Sequence, residues 1–516
     1  MSSGKKNLRA ACAMLAGVAL ASSTIANAQA SKTADGGGGG PPRFVELPCS
    51  SNFGPPPTGG ITMRCGTVTV PQNRSKPKDS HLLAVVLPVV EYSMAGAHGS
   101  PVMFLPGGPG ESSIDAAQRV LLETPAGQTL LRDHPIIAFD RRGYSPVPDR
   151  ASPDLGTIVF EPRARRELAV KPLNDSLLRR TKELRRRGVD PANFTTLPAV
   201  EDIADVAHAL GVHKVIMLGA SYGSREALQF MRRHPDMVEA SILDGIAPPS
   251  ATQILDSTYV ANTGRAIAAQ VVNECRTDSV CVAQYGDLSK WVAKLTDGGG
   301  ALRRTAQFGA SDPWHTIEVA GGSVLSVLGV ASSDEGMRAS VPRIISELAQ
   351  EDTVHDEFAL RVFLAAAIDP SLQTASRQTA PLVYYVALCG DRPQGEPKAG
   401  NRMLCDALGV PFTGPEAITP VTSAIPTLLI SSGYDAQTPA ALADEAARTL
   451  SRAHRAHFAN AGHVAFARPL AMACAALIMD AFLRDPNVEP PTSCIGRVTP
   501  AFLPPIDSRS AKPPTR

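Results

Sequence analysis

At 516 residues, with 44% hydrophobic and 19% charged side chains, the chain can bury a large core and is composed like a globular protein, not a disordered or fibrous one. Lys and Arg (50) nearly cancel Asp and Glu (49), for a formal net charge of +1. That balance excludes a chain whose overall charge is built for nucleic acid or an anionic membrane surface.

The N-terminus carries Lys5, Lys6 and Arg9, then AACAMLAGVALASSTIA, then ANAQA before Ser31. A basic start, a short apolar stretch and an A-x-A site predict a signal peptide over residues 1–30, cleaved after Ala30, and so a secreted or periplasmic protein. The stretch is too short and too rich in Ala, Ser and Thr for a stable membrane anchor of about 20 apolar residues. Residues 31–43, with their glycine run, predict a flexible linker. Removal of the leader takes Cys12 and leaves Cys49, Cys65, Cys275, Cys281, Cys389, Cys405, Cys474 and Cys494. An even number in an exported chain predicts disulfides, and pairing in chain order is the simplest arrangement. A metal site is the alternative, but neither C-x-x-C nor H-E-x-x-H occurs, and no metal or other cofactor is expected.

Apolar runs of strand type follow: LLAVVLPVV (82–90), PVMFL (101–105), PIIAFD (135–140), KVIML (214–218), EASILD (239–244), IPTLLIS (425–431) and HRAHF (454–458). Several are almost continuously hydrophobic, as strands buried on both faces of a parallel sheet must be. Between them, VEDIADVAHALGV (200–212) and SREALQFMRRHP (224–235) repeat apolar residues at three and four, so the pattern predicts an α/β sheet covered by helices. Basic clusters between Arg163 and Arg187 are interleaved with Glu167, Asp175 and Glu183 and read as a solvated helix face. From 251 to 415 the composition is mostly helical, which predicts a helical cap inserted over the ligand-binding edge of the sheet. The core then comprises 44–250 and 416–500, with a loose tail over 501–516.

Directly after the fourth of these runs lies G-A-S-Y-G, with Ser221 between Gly219 and Gly223. A serine between glycines at a strand-to-helix turn predicts a nucleophile elbow. Its partners should follow in the order acid, then histidine. Asp435, in SGYDAQTP after a late strand, and His463, in ANAGHVAF after the last strand, occupy those places. His463 would take the proton of Ser221 and Asp435 would hold the imidazole. Asp244 in ILDGIAPP also ends a strand and is the rival acid; the G-x-D-x-x-T-P turn favours Asp435. PGGPG at 106–110, after an early strand, predicts the backbone donors of an oxyanion hole together with the N–H of Tyr222.

LPGGPG, IIAFDRRGYS, the stretch from TTLPAVEDIADVAHALGVHKVIMLGASYG to ILDGIAPP, and SSGYDAQTP with AGH together resemble the secreted tripeptidyl and prolyl aminopeptidase branch of the α/β-hydrolases, over roughly residues 44–250 and 416–496. The resemblance implies an α/β-hydrolase fold with a helical cap and a serine exopeptidase acting on peptide N-termini. It gives the catalytic roles to Ser221, Asp435 and His463 and the oxyanion donors to Gly108 and Tyr222. Pro106 stands where prolyl aminopeptidases usually carry His, which favours the tripeptidyl type. The family's D-Q-R-G-x-G appears as Asp140-Arg141-Arg142-Gly143-Tyr144-Ser145. An aminopeptidase also needs a carboxylate for the substrate's α-ammonium, and Asp391 in YYVALCGDRPQ is the candidate, set against an exposed loop aspartate paired with Arg392. The expected partner is a peptide or small ester. The same residues would serve a carboxylesterase, and a non-catalytic binding module would need a broken triad. Oligomeric state is left open.

Overall fold

A computed structural model describes residues 42–49, 53–77, 84–144, 163–255, 257–296, 301–306, 315–349, 381–393, 402–498 and 502. The expected leader, residues 31–41 of the expected linker and all of the expected tail except 502 lie outside these. Nine strands form one sheet: β1 (Phe44–Leu47), β2 (Thr62–Val70), β3 (Val85–Ser93), β4 (Val102–Leu105), β5 (Ile136–Phe139), β6 (Val215–Ala220), β7 (Val238–Asp244), β10 (Thr427–Tyr434) and β11 (Ala453–Gly462). Their order is β1-β2-β3-β5-β4-β6-β7-β10-β11. From β5 to β11 neighbouring strands are parallel, and β1, β2 and β3 add an antiparallel edge.

The parallel strands bury both faces, so their alternate residues feed two cores. On β6, Ile216 and Leu218 enter one core, while Val215 and Met217 enter the other. The first is closed by helices α2 (Pro125–Asp133) and α14 (Met472–Arg484), through Leu130, Leu131, Ile478 and Phe482. The second is closed by α4 (Thr196–Ala209), α5 (Tyr222–Arg233) and α13 (Ala440–Ala447), through Val200, Ile203, Phe230 and Ala443. This two-sided burial is why these strands read as continuous apolar runs. The short α1 (Ser113–Ala117) follows the turn after β4, and the long α3 (Arg163–Arg186) precedes α4.

Between the neighbours β7 and β10 the chain makes its long excursion. Helices α6 (Ser257–Thr277), α7 (Ser279–Tyr285), α8 (Leu288–Thr296), α9 (Gly321–Ala331) and α10 (Glu335–Ala349) share one core with Tyr434 and Ala436. Helices α11 (Pro381–Gly390) and α12 (Arg402–Leu408) instead pack on α3, through Val386, Leu404, Leu408 and Leu177. The excursion is not wholly helical: β8 (Ala301–Ala306) and β9 (His315–Ala320) form an antiparallel pair, as the β-branched alternation of HTIEVA favours. Residues 350–380 of the expected cap lie outside the described residues. Among the described residues no helix is long and apolar enough to cross a membrane.

The cysteines pair in chain order, Cys49–Cys65, Cys275–Cys281, Cys389–Cys405 and Cys474–Cys494, with Cα separations of 5.3, 5.2, 5.5 and 5.6 Å. Each bridge is local, tying a strand or helix to the segment beside it. Alkylation of the denatured, unreduced protein, followed by peptide mapping, should leave all eight unlabelled. Replacing Cys474 and Cys494 by serine should lower the unfolding free energy by about 2–4 kcal/mol in urea titrations. Labelling of both members of any pair would remove that bridge.

Candidate active site

Ser221 sits between β6 and α5 with φ 53° and ψ −123°, a left-handed backbone that a residue with a Cβ adopts only under constraint. Both flanking glycines are sterically required. A side-chain carbon on Gly219 would stand 2.7 Å from Ser224 Cα, and one on Gly223 would stand 2.0 Å from the carbonyl oxygen of Leu105. The turn is held from outside as well: the Ser221 amide donates to the Asp244 carbonyl (2.9 Å), and Ser224 Oγ donates to the Ser221 carbonyl (2.5 Å).

Asp435 follows β10 and His463 follows β11, so both stand at C-terminal strand ends, as Ser221 does. His463 Nδ1 lies 2.8 Å from Asp435 Oδ2, with Asp435 2% and His463 7% exposed. The amides of Gln437 (2.9 Å) and Thr438 (2.8 Å) donate to Asp435 Oδ1, and Thr438 Oγ1 donates to Oδ2 (2.6 Å). Burial pushes this carboxyl up, but the His463 imidazole and the Thr438 hydrogen bonds outweigh it and hold the group below the ordinary carboxylate range. Thr438 was not singled out from the sequence; its place in G-x-D-x-x-T-P, three residues after the acid, was the available signal.

The end of β7 brings the two halves together. While the Asp244 carbonyl holds Ser221, a side-chain carbon on the next residue, Gly245 (φ +67°), would stand 3.0 Å from Thr438 Oγ1 and 3.1 Å from His463 Cε1. The rival acid, Asp244, has another task. Its Oδ2 accepts the Phe466 amide (2.9 Å), fixing the loop in which Val464 takes a left-handed φ of 63°. Arg468 Nε adds a bond to the His463 carbonyl (2.7 Å). Cap residues grip the same strands: Ser333 Oγ donates to the Tyr434 carbonyl (2.9 Å), and Arg338 donates to the Asn460 carbonyl (2.8 Å) with its guanidinium 4.0 Å from the centre of the Tyr434 ring.

The PGGPG turn lies against the serine. A side-chain carbon on Gly107 would stand 3.0 Å from Ser221 Cβ and 3.3 Å from its Oγ. Gly108 (φ +108°) precedes a cis proline, Pro109. Tyr222 opens α5, and its ring is buried. Its hydroxyl donates to Asp391 Oδ2 (2.6 Å) and lies 2.5 Å from Thr196 Oγ1.

Asp391 meets neither expectation. It is wholly buried, and its partner is not Arg392: Oδ2 accepts from Arg225 Nε (2.8 Å) as well as from Tyr222. Arg225 also donates to the carbonyls of Pro248, Pro249 and Ala417. With no accessible surface and its charge matched by Arg225, this carboxylate is an internal support of Tyr222, not a contact for an incoming ammonium. Of the DRRGYS segment, Arg142 is buried against Asp202 and three backbone carbonyls, while Arg141 pairs with Glu226 (2.8 Å) beside Tyr222. Ser145 lies outside the described residues. Among the described residues no group of three or more His, Cys, Asp or Glu is placed to hold a metal ion.

The chain matches two family profiles, one described as alpha/beta hydrolase fold over residues 100–276 and one described as TAP-like protein over residues 394–494. Serine protease Hip1 of Mycobacterium tuberculosis is 29% identical over 199 residues, 37% of this chain and 37% of that protein. Tripeptidyl aminopeptidase of Streptomyces coelicolor is 26% identical over 236 residues, 45% of this chain and 41% of that protein. These matches span less than half the length of either relative. Among solved structures, proline iminopeptidase from Mycobacterium smegmatis is 13% identical, covering 82% of this chain and 98% of that one, at a TM-score of 0.37.

Asp244 has a measurable consequence for stability. Burial pushes its carboxyl up to about 7, against the pull of the Phe466 and Ala465 amides. An unfolded aspartate titrates near 3.9, so between about pH 4 and pH 7 the folded state binds more protons and this residue's contribution falls as pH rises. In urea denaturation, Asp244→Asn should therefore gain on the wild type between pH 5 and pH 8. A gap that is constant over that range would contradict this assignment.

Proposed function

We propose that the chain, which matches the alpha/beta hydrolase fold and TAP-like protein families, is an exported serine exopeptidase of the tripeptidyl aminopeptidase branch of the α/β-hydrolase superfamily that cleaves peptides near their N-termini through an acyl-enzyme on Ser221. Ser221 Oγ attacks the scissile carbonyl carbon while His463 takes its proton. Asp435 keeps the imidazole oriented and stabilises its cation. The carbonyl oxygen, now an oxyanion, accepts hydrogen bonds from the backbone N–H groups of Gly108 and Tyr222. As the C–N bond breaks, His463 gives its proton to the leaving amine. Water then attacks the ester by the same route, and the N-terminal fragment leaves with a new carboxylate.

The observation that carries this reading is the buried Asp435–His463 hydrogen bond beside a serine in strained left-handed backbone, both seated on the end of β7. Names of the relatives support a peptidase over other uses of the same site. The signal-like N-terminus and four disulfides support export.

Ser221→Ala and His463→Ala should each lower kcat by on the order of 10⁴ to 10⁶, and the double variant should fall hardly further, because the members act as a unit. Asp435→Asn should lose most activity and Asp244→Asn should keep most of it. The assay is a panel of peptide amides with free N-termini beside simple acyl esters. Turnover of the esters alone would replace the peptidase by a carboxylesterase. Reversal of the two aspartate results would move the acid to Asp244.

A further inference from the structure

The amide assigned to the oxyanion beside that of Gly108 belongs to Tyr222, the first residue of α5. The first four N–H groups of a helix have no partner within it, so this one can serve a ligand. Its direction depends on how the residue is held on either side, because the peptide unit is a rigid plane. On one side stands the strained turn at Ser221; on the other, the Tyr222 ring is buried and its hydroxyl is fixed. That hydroxyl gives its one proton to Asp391 Oδ2 (2.6 Å), so the Thr196 hydroxyl, 2.5 Å away, is the donor to its oxygen. Burial, and after it the charge of Asp391, push the Tyr222 hydroxyl well above its ordinary range and keep it a donor. The same Oδ2 accepts from Arg225 Nε (2.8 Å), three residues further along α5. Residues three apart share a helix face, so one carboxylate oxygen grips the first turn of α5 at both ends.

Asp391 is 169 and 166 positions from these two partners in the chain, and its own place is fixed without them. Its amide donates to the Ala387 carbonyl (3.0 Å), and the Gly390 carbonyl accepts from the Thr413 amide (2.8 Å). A side-chain carbon on Gly390 would stand 2.4 Å from Thr195 Cγ2, so the end of α11 is pressed against the start of α4. The Cys389–Cys405 bridge ties the same turn to α12. The second oxygen of Asp391, Oδ1, is buried and has no partner among the described residues. A carboxylate kept only to neutralise an arginine uses both oxygens, as Asp202 does for Arg142 (2.7 and 2.5 Å). Here the guanidinium and the phenol crowd onto one oxygen and leave the other empty. We infer that Asp391 is a positioning residue for the reaction: through the Tyr222 hydroxyl it fixes the first turn of α5, and with it the amide that receives the oxyanion. This rests on the serine exopeptidase reading above and deepens it, since the inserted segment then acts on the chemical step and not on the binding of substrate.

The test measures kcat and KM on the fastest substrate of the panel above, and the affinity for phenylboronic acid, in wild type, Tyr222→Phe, Asp391→Asn, Asp391→Ala and Asp202→Asn. The boronic acid adds to Ser221 Oγ as a tetrahedral anion with one oxygen where the oxyanion forms, so it reads the hole apart from substrate binding. Tyr222→Phe removes the hydroxyl and leaves the Arg225–Asp391 pair whole. It should lower kcat on the order of 10-fold with KM unchanged, a part of the roughly 10²- to 10³-fold lost with a whole oxyanion donor. Affinity for the boronic acid should fall by the same factor. Asp391→Ala should lose on the order of 100-fold in kcat per folded molecule, and Asp391→Asn, which keeps an acceptor oxygen, should recover part of it. Asp202→Asn strands a buried arginine in the same way without touching the first turn of α5, so it should lower the urea midpoint and keep kcat. Wild-type kcat and boronic acid affinity in Tyr222→Phe would overturn the positioning role, as would an equal loss of kcat in Asp202→Asn. Absence of Ser221-dependent turnover in the wild type would instead sink the serine hydrolase reading, and this inference with it.

Discussion

The hydrogen bond from the Ser221 amide to the Asp244 carbonyl is the joint on which the site turns. One strand end, Asp244–Gly245, holds the Ser221 turn through its carbonyl, the His463 loop through its carboxylate, and the adjacent strand through the Gly245 amide on the Ile430 carbonyl. Three segments far apart in the chain meet at two residues. The second has a left-handed φ of +67° that favours glycine, and a side-chain carbon there would crowd the His463 ring and Thr438. The strain at Ser221 persists because this joint and the two flanking glycines over-determine the turn.

Behind the site, two wholly buried arginines are each paired with a buried aspartate. Arg225 and Asp391 are both wholly enclosed, and Arg225 satisfies three further carbonyls. Arg142 and Asp202, the latter carried on α4, repeat the arrangement. Such pairs add little net stability compared with apolar packing, but removal of one member strands a charge and costs several kcal/mol. Their effect here is positional. Asp391 comes from the end of α11, beside the Cys389–Cys405 bridge, and reaches Tyr222, the first residue of the helix that follows Ser221.

The parallel strands and the elbow were legible because both are local. A strand buried on two faces must be continuously apolar, and a serine turn of this shape must be flanked by glycine. Asp435 and His463 could be found by their order after late strands, since chain order on this fold carries spatial information. The antiparallel edge strands β1 and β2 were not read, although TMRCGTVTV alternates, because half-exposed edge strands carry a weaker pattern. The β8–β9 pair was hidden in a region of helical composition. The environment of Asp391 was out of reach altogether. Its partner Arg225 is 166 residues away in the chain, and no local pattern tells a buried aspartate from a surface one.

Tyr434 and Ala436 belong to the apolar core of the inserted helices, while Asp435 between them faces the imidazole. Ser333 and Arg338 reach from the insertion to the strands that carry the acid and the histidine. On this flank the insertion is not a lid resting on a finished enzyme; it is a wall into which the acid is mortised. Exchange of the insertion for that of a relative would therefore change the chemistry along with the preference for substrate. The other described helices of the insertion, α11 and α12, lean on α3 instead of on the strand that precedes Asp435.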